Sequence, residues 1–287
     1  MNQMRKSAVR ALDRLMMTQS YLASFYRGRE NRELFDGIGA YCIFIGYPRS
    51  GHSLIGSLLD AHPSAIIAHE LDALKFIEAG FNKNQLYQLL LDNSRRFARK
   101  SRQWTGYTYE VPGQWQGRFD KLRVIGDKKG GRSTLRLAEN PELLHRLRKT
   151  VATDIRFIHT IRNPYDNIAT MHKRALEHAR NQALSTTIED YFSRCQMNAN
   201  LKVRLENGVV LDVRHESLVE DPTSLLHDLC AFLGLGCEKD YLEDCASIVF
   251  SLPPKSRYDI EWDPETLATV RAGIRRFSFL EGYSYEE

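Results

Sequence analysis

Short apolar runs alternate with amphipathic stretches along most of this 287-residue chain, and that alternation sets the predicted elements. Tyr41-Cys42-Ile43-Phe44-Ile45 is apolar at every position and stops at Gly46, which predicts a buried parallel strand rather than a helix. Gly51 to Leu59 then has helical spacing and ends near His62-Pro63, so the unit reads strand, tight loop, helix. Further strands are predicted at Ser64 to Ala68, Leu122 to Gly126, Ile155 to Ile161 and Val209 to Val213. Helices are predicted over 5–24, 71–79, 84–100, 165–180 and 183–203, from Pro222 to Gly234, and after Asp263-Pro264. Asn163-Pro164 and Asp221-Pro222 each place a capping side chain directly before a proline at the first helical position.

Strands separated by helices require a mostly parallel sheet covered on both faces, so the fold class is α/β, three-layered, with residues 1–287 as one domain. Residues 84–119 read as a helical and irregular insertion. From Ser101 to Phe119 neither period holds, and two tryptophans, Trp104 and Trp115, together with Tyr107 and Tyr109 argue for a segment beside an acceptor rather than a linker. The chain closes in an aromatic stretch, Phe277, Phe279, Tyr283 and Tyr285, and no internal repeat is present.

A composition of 43% apolar and 26% charged residues excludes a disordered or low-complexity chain. The net charge of +4 matters less than its distribution: residues 92–136 carry 12 Lys or Arg against 4 acids, whereas 216–245 carry 8 acids against Lys239 alone. Such a basic stretch suits an anionic ligand, an acidic membrane or nucleic acid. With no RNP, KH or zinc-finger pattern, a nucleic-acid partner is not expected. Cys42, Cys195, Cys230, Cys237 and Cys245 form no CxxC pair, and predict reduced, mostly core-filling thiols in a cytoplasmic protein. No apolar run is long enough for a transmembrane helix. Residues 5–24 leave two readings, an amphipathic helix in peripheral contact with a membrane and a helix packed on the protein's own core; a homo-oligomer also stays open.

Gly46-Tyr47-Pro48-Arg49-Ser50-Gly51-His52-Ser53 has the GxxxxG[K][ST] frame of a phosphate-binding loop, with His52 where nucleotide-binding loops carry Lys. A turn at Gly51 can aim successive backbone N–H groups inward at a helix start, with Arg49 supplying full charge. The competing reading is a tight structural turn. Arg162 follows another strand; if the two strands are neighbours, both arginines reach the carboxyl edge where open parallel sheets bind ligands. Neither HExxH nor a clustered acidic set predicts a metal site.

Pro48-Arg49-Ser50-Gly51-His52-Ser53, followed by Leu58-Leu59-Asp60-Ala61-His62-Pro63, resembles the first cofactor loop of the P-loop sulfotransferases that use 3′-phosphoadenosine 5′-phosphosulfate (PAPS) and release 3′-phosphoadenosine 5′-phosphate (PAP). Arg162-Asn163-Pro164-Tyr165-Asp166 with Thr170 is similar to the family's second signature, with Thr in place of Ser, and His215 to Pro222 is similar to a third. The resemblance covers residues 41 to 234. It implies that Pro48, Arg49, Ser50, Gly51, His52 and Ser53 hold the 5′-phosphosulfate and that Arg162 and Thr170 hold the 3′-phosphate. Lys255 and Arg257, led in by Pro253-Pro254, match more loosely a basic loop closing over that phosphate.

Lys128 matches the family's catalytic Lys, with Lys129 as the register competitor. Gly130 stands where many cytosolic members carry a basic His, so that base does not carry over. Glu70 matches the Glu of other branches, the tyrosylprotein and carbohydrate enzymes among them, and serves as base if partial burial raises its pKa. His52 and His69 are the next candidates. The function this resemblance implies is metal-free transfer of a sulfuryl group from PAPS to a hydroxyl, with an amine second, on a small-molecule, lipid or carbohydrate acceptor. The alternatives are a P-loop kinase, which needs Mg²⁺ ligands and preferably Lys at residue 52, and a nucleotide- or RNA-binding module without catalysis.

Overall fold

The computed structural model describes residues 3–178, 182–250, 252 and 255–286. A long helix α1 (Gln3–Glu30) leads into β1 (Ala40–Gly46), α2 (His52–Asp60), β2 (Ala65–His69), α3 (Ala73–Glu78) and α4 (Lys83–Ala98). A small hairpin, β3 (Gln103–Trp104) and β4 (Tyr107–Thr108), precedes β5 (Val124–Lys128), α5 (Gly131–Glu139), α6 (Glu142–Val151) and β6 (Asp154–Ile161). Then come α7 (Pro164–Glu177), α8 (Leu184–Val203), β7 (Val210–Arg214), α9 (His215–Glu220), α10 (Pro222–Phe232), α11 (Lys239–Ser247) and α12 (Pro264–Ile274).

The central sheet has the order β2-β5-β1-β6-β7, and every pairing in it is parallel. Its faces follow the period of two. Tyr41, Ile43 and Ile45 of β1 join Ile66, Ile125 and Phe157 in a core covered by α3, α4, α6 and the end of α8, whereas Ala40, Cys42 and Phe44 join Ile67, Val124 and Ile158 beneath α2, α10 and α11. A third cluster, at the carboxyl end of the sheet, gathers Tyr47, Ile161, Tyr165, Tyr191 and Phe277 with α7, α8 and α12. The aromatic tail packs there: Phe279, Tyr283 and Tyr285 sit against this cluster. The capping chemistry appears where the sequence places it, with Asn163 accepting from the Tyr165 N–H, Asp221 from Ser224 and Asp263 from Thr266.

Several boundaries move, for identifiable reasons. β5 is displaced from 122–126 to end at Lys128, because β2 offers Ala68 and His69 as parallel partners for Asp127 and Lys128. The buried Asp127 is tolerated in a strand because its carboxylate accepts the Leu71 and Ala73 N–H groups at 3.1 and 2.8 Å. Those bonds also shorten the predicted helix 71–79 to Ala73–Glu78, since Glu70 and Asp72 are held at φ 60° and 65°. α5, α6, α9 and α11 are additional helices.

Of the segment 84–119, the helical half is built into the core, where Leu86, Tyr87, Leu90 and Leu91 of α4 are buried. The irregular half is pinned by a buried ion pair between Arg102 and Asp60, whose carboxylate also accepts from the Ile67 and Gly117 N–H groups. α1 meets α4 through the Arg27 to Asp92 ion pair, while Leu15, Met16, Leu22 and Tyr26 are exposed. The two readings of residues 5–24 turn on side chains up to Leu12, which lie outside those described. Among the described residues no helix is long and apolar enough to cross a membrane.

Candidate active site

The loop after β1 is shaped by left-handed backbone at Arg49 (φ 70°) and Gly51 (φ 93°). At Gly51 a side chain is excluded twice over, by that φ and by His215, whose Nδ1 would lie 2.5 Å from an added Cβ. Thr134 accepts the Gly46 N–H at 3.0 Å, Asn167 donates to the Pro48 carbonyl at 2.8 Å, and Ser50 donates to the Tyr47 carbonyl at 2.9 Å. The loop is therefore held from behind. Among the described residues, the backbone N–H groups of Gly51, His52 and Ser53 have no acceptor, as expected for a helix start that presents donors to an anion.

Two cationic poles flank this loop. From β5 on one side, Lys128 donates to Ser53 Oγ at 2.9 Å and to Glu70 Oε1 at 2.6 Å. From β6 on the other, Arg162 reaches Thr170 Oγ1 and Ser256 Oγ, each at 3.3 Å. Because β1 lies between β5 and β6, the strands carrying the poles are two strand spacings apart, roughly 10 Å. Lys128 is 1% exposed and its stem crosses α2 at Gly56, where an added Cβ would be 2.7 Å from Lys128 Cγ. Burial lowers the Lys128 pKa, and Glu70 opposes that shift.

The pocket between these groups has a volume of about 380 Å³. Arg49, His52, Ser53, Leu54 and Glu70 line it from the loop, helix α2 and the end of β2, Arg162, Thr170, His215 and Ser256 surround the Arg162 pole, and Trp104, Tyr107, Tyr109 and Phe250 supply an aromatic wall. Among the described residues Glu70 is the sole carboxylate in that lining, and both its oxygens are held, one by Lys128 and the other by Lys129 at 2.5 Å.

The family model Sulfotransfer_3, described as the sulfotransferase family, matches residues 43–239. This chain belongs to the sulfotransferase family. Among curated proteins no sequence matches it. The sulfotransferase STF9 from Mycobacterium avium shares the fold at TM-score 0.51 and 12% identity, over 89% of this chain and 81% of that one. The sulfotransferase domain from the curacin biosynthetic pathway does so at TM-score 0.50 and 16% identity, over 84% and 98%. Mouse sulfotransferase SULT7A1, complexed with PAP, is more distant, at TM-score 0.47 and 13% identity over 84% and 86%.

In this sulfotransferase the fold brings together most of the residues singled out in the sequence. Pro48, Arg49, Gly51, His52, Ser53, Glu70, Arg162 and Thr170 share one pocket, with Ser50 buried behind it and Lys128 entering beside Ser53. Arg257 does not line the pocket. The residue is 2% exposed and its guanidinium is turned inward, bonded to both oxygens of Asp166 at 3.1 and 2.7 Å and to the Ser284 and Tyr285 carbonyls. The buried Asp166 in the first turn of α7 draws it there. Lys255 is exposed at the start of the turn Ser256–Asp259, and Pro253-Pro254 lie outside the described residues. From that triplet it is Ser256 that reaches the pocket.

Glu70 is held by its two lysines. Burial would raise its pKa, but Lys128 and Lys129 more than offset this and leave it at about 2. His69 is stacked on Phe97, with ring centroids 3.9 Å apart, and held by burial at about 2. His52 keeps a free lone pair. Ser50 spends its only proton on the Tyr47 carbonyl, so at the 3.1 Å contact His52 Nδ1 is the donor and Nε2 is left bare. Burial and Lys128 hold His52 neutral, at about 3.

His215 and Ser256 line the pocket and Gly56 leaves room for the Lys128 stem, three positions that residue types alone did not single out. Two of them stood inside quoted motifs, His215 at the head of the third signature and Ser256 between two basic residues. Only the folded chain turns them toward the pocket.

Proposed function

We propose that this protein transfers a sulfuryl group from PAPS to a hydroxyl of an acceptor held against the aromatic wall. The observation that supports the donor is the pair of separated cationic poles on one loop, Ser53 with Lys128 on one side and Arg162 with Thr170 and Ser256 on the other. A nucleotide anionic at both its 5′ and 3′ ends suits two poles, whereas a single polyphosphate arm leaves the Arg162 end unanswered. The open N–H groups of Gly51 to Ser53 suit the oxygens of a phosphosulfate. Bound there, PAPS would supply the sulfuryl group and a stable nucleotide leaving group.

The chain's own residues then have distinct tasks. The Lys128 ammonium, already beside Ser53, neutralises charge on the transferring oxygens, and Arg162 fixes the nucleotide's other end. Glu70 takes the acceptor proton. With both lysines on it the carboxylate is a weak base, but negative charge arriving beside Lys128 draws that ammonium away and adds a like charge, and both effects raise its proton affinity. His52 Nε2 is the second base in the pocket. Leu54, Trp104, Tyr107, Tyr109 and Phe250 offer apolar and ring surface for a small molecule, lipid or carbohydrate.

Calorimetry with PAP and with ATP, each with and without Mg²⁺, tests the donor. PAP should bind without metal and more tightly than ATP. ATP binding of equal or greater strength that requires Mg²⁺ would overturn the proposal in favour of a kinase, and tight PAP binding with no transfer from PAPS to any hydroxyl acceptor would leave only a binding module.

A further inference from the structure

The turn that ends α10 folds the chain back on itself. The Leu235 N–H reaches the Cys230 carbonyl at 2.8 Å, with Gly234 at φ 73° allowing the reversal. Two residues on, Cys237 lies beside Cys230, their sulfurs within 4.8 Å of each other and of a ring nitrogen of His62. Cys230 is buried and Cys237 partly exposed. Neither lines the pocket described above.

We propose that Cys230 and Cys237 form a peroxide-responsive pair that closes to an intramolecular disulfide across the turn that ends α10. His62 does not turn the cluster into a metal site, because both its nitrogens are in use. Nδ1 accepts the Ser64 N–H at 3.0 Å, so Nε2 carries the ring proton and donates it to the Gly236 carbonyl at 2.7 Å. A metal would have to break one of those bonds, and two thiols remain. The third nearby thiol, Cys245, is turned to the Leu58 carbonyl at 3.8 Å, which the Tyr241 hydroxyl also serves. Cys230 and Cys237 are thus the pair facing each other.

The chemistry balances with one molecule of hydrogen peroxide. The Cys237 thiolate attacks a peroxide oxygen, the S–O bond forms as O–O breaks, and the departing oxygen leaves as water after taking a proton. Cys230 sulfur then attacks the Cys237 sulfenic sulfur; S–S forms, S–O breaks, and the second oxygen leaves as water with the Cys230 proton. Two thiols are oxidised and one peroxide is reduced. The division of labour suits the surroundings: Cys237 is the more exposed thiol and its closeness to Cys230 lowers its pKa, whereas Cys237 and burial raise that of Cys230, whose S–H is turned to the Tyr241 hydroxyl at 4.0 Å.

The full-length protein is treated with hydrogen peroxide, its remaining thiols are alkylated, and intact and tryptic masses are read. Both cysteines fall within the tryptic peptide 215–239, so the disulfide appears as that one peptide carrying no alkyl group and about 2 Da lighter than its free-dithiol mass, reversed by dithiothreitol. Cys237→Ser should abolish the loss, and Cys230→Ser should halt at a sulfenic acid on residue 237 that dimedone traps. Persistence of both thiols after treatment, a link to Cys245 instead, a stable sulfenic acid in the unmutated protein, or stoichiometric zinc shielding the pair would each overturn the proposal.

Discussion

Glu70→Gln separates the electrostatic role of this side chain from its chemical one. In the unliganded protein its carboxylate is moved from its ordinary 4.5 to about 2 by the two lysines. At about 1.4 kcal/mol per pH unit that displacement corresponds to roughly 3 kcal/mol of folding stability, and its side chain, 21% exposed, keeps most of that unscreened. The sign is set by a depressed folded pKa: the contribution is complete above pH 4.5 and drains away as pH falls towards 2. Urea denaturation of both proteins should therefore show the variant weaker by about 2 to 3 kcal/mol at pH 7, with the gap narrowed by about 1 kcal/mol at pH 3.5. Freed of their partner, Lys128 and Lys129 should bind PAP more tightly, by roughly tenfold at an effective dielectric near 20. Single-turnover transfer should nonetheless fall by about 10² to 10⁴-fold. A variant equal to the parent in stability across this pH range, with unchanged PAP affinity, would refute the ion-pair argument; a fully active one would pass the role of base to His52.

Arg162→Ala should weaken PAP binding by roughly 1.5 to 3 kcal/mol in calorimetry while leaving a nucleotide without the 3′-phosphate nearly unaffected, and an equal loss for both would indicate damage to the fold. Arg257→Ala should act on stability instead, because it strands the buried Asp166; a loss of about 3 to 5 kcal/mol by chemical denaturation is expected, and an unchanged midpoint with weaker PAP binding would restore Arg257 as a ligand contact. Gly56→Ala pushes a methyl to within 2.7 Å of the Lys128 stem, so it should cost about 1 to 3 kcal/mol and slow transfer. Because Lys128 Cβ also lies within 2.9 Å, truncating Lys128 does not relieve the clash, and a Gly56→Ala variant as stable and as active as the parent would refute the close approach.

What the amino-acid order determined by itself is local. An unbroken apolar run of five residues ending in Gly46, with a Gly-rich loop and a helix behind it, admits little besides a buried strand feeding an anion-binding turn. Proline after Asn163, Asp221 or Asp263 likewise starts a helix wherever it occurs in such a pattern. The charged groups were decided by partners distant in sequence. Glu70 is a depressed carboxylate because β5 ends beside β2 and delivers Lys128, with Lys129 just beyond the strand, to its two oxygens. Arg162 faces the pocket and Arg257 the interior because Asp166 stands behind the site, and no spacing rule ranks one arginine above the other. Periodicity records which way a residue faces relative to its own backbone, whereas a pKa, an ion pair or an occupied guanidinium depends on groups that only the folded chain brings within a few ångströms.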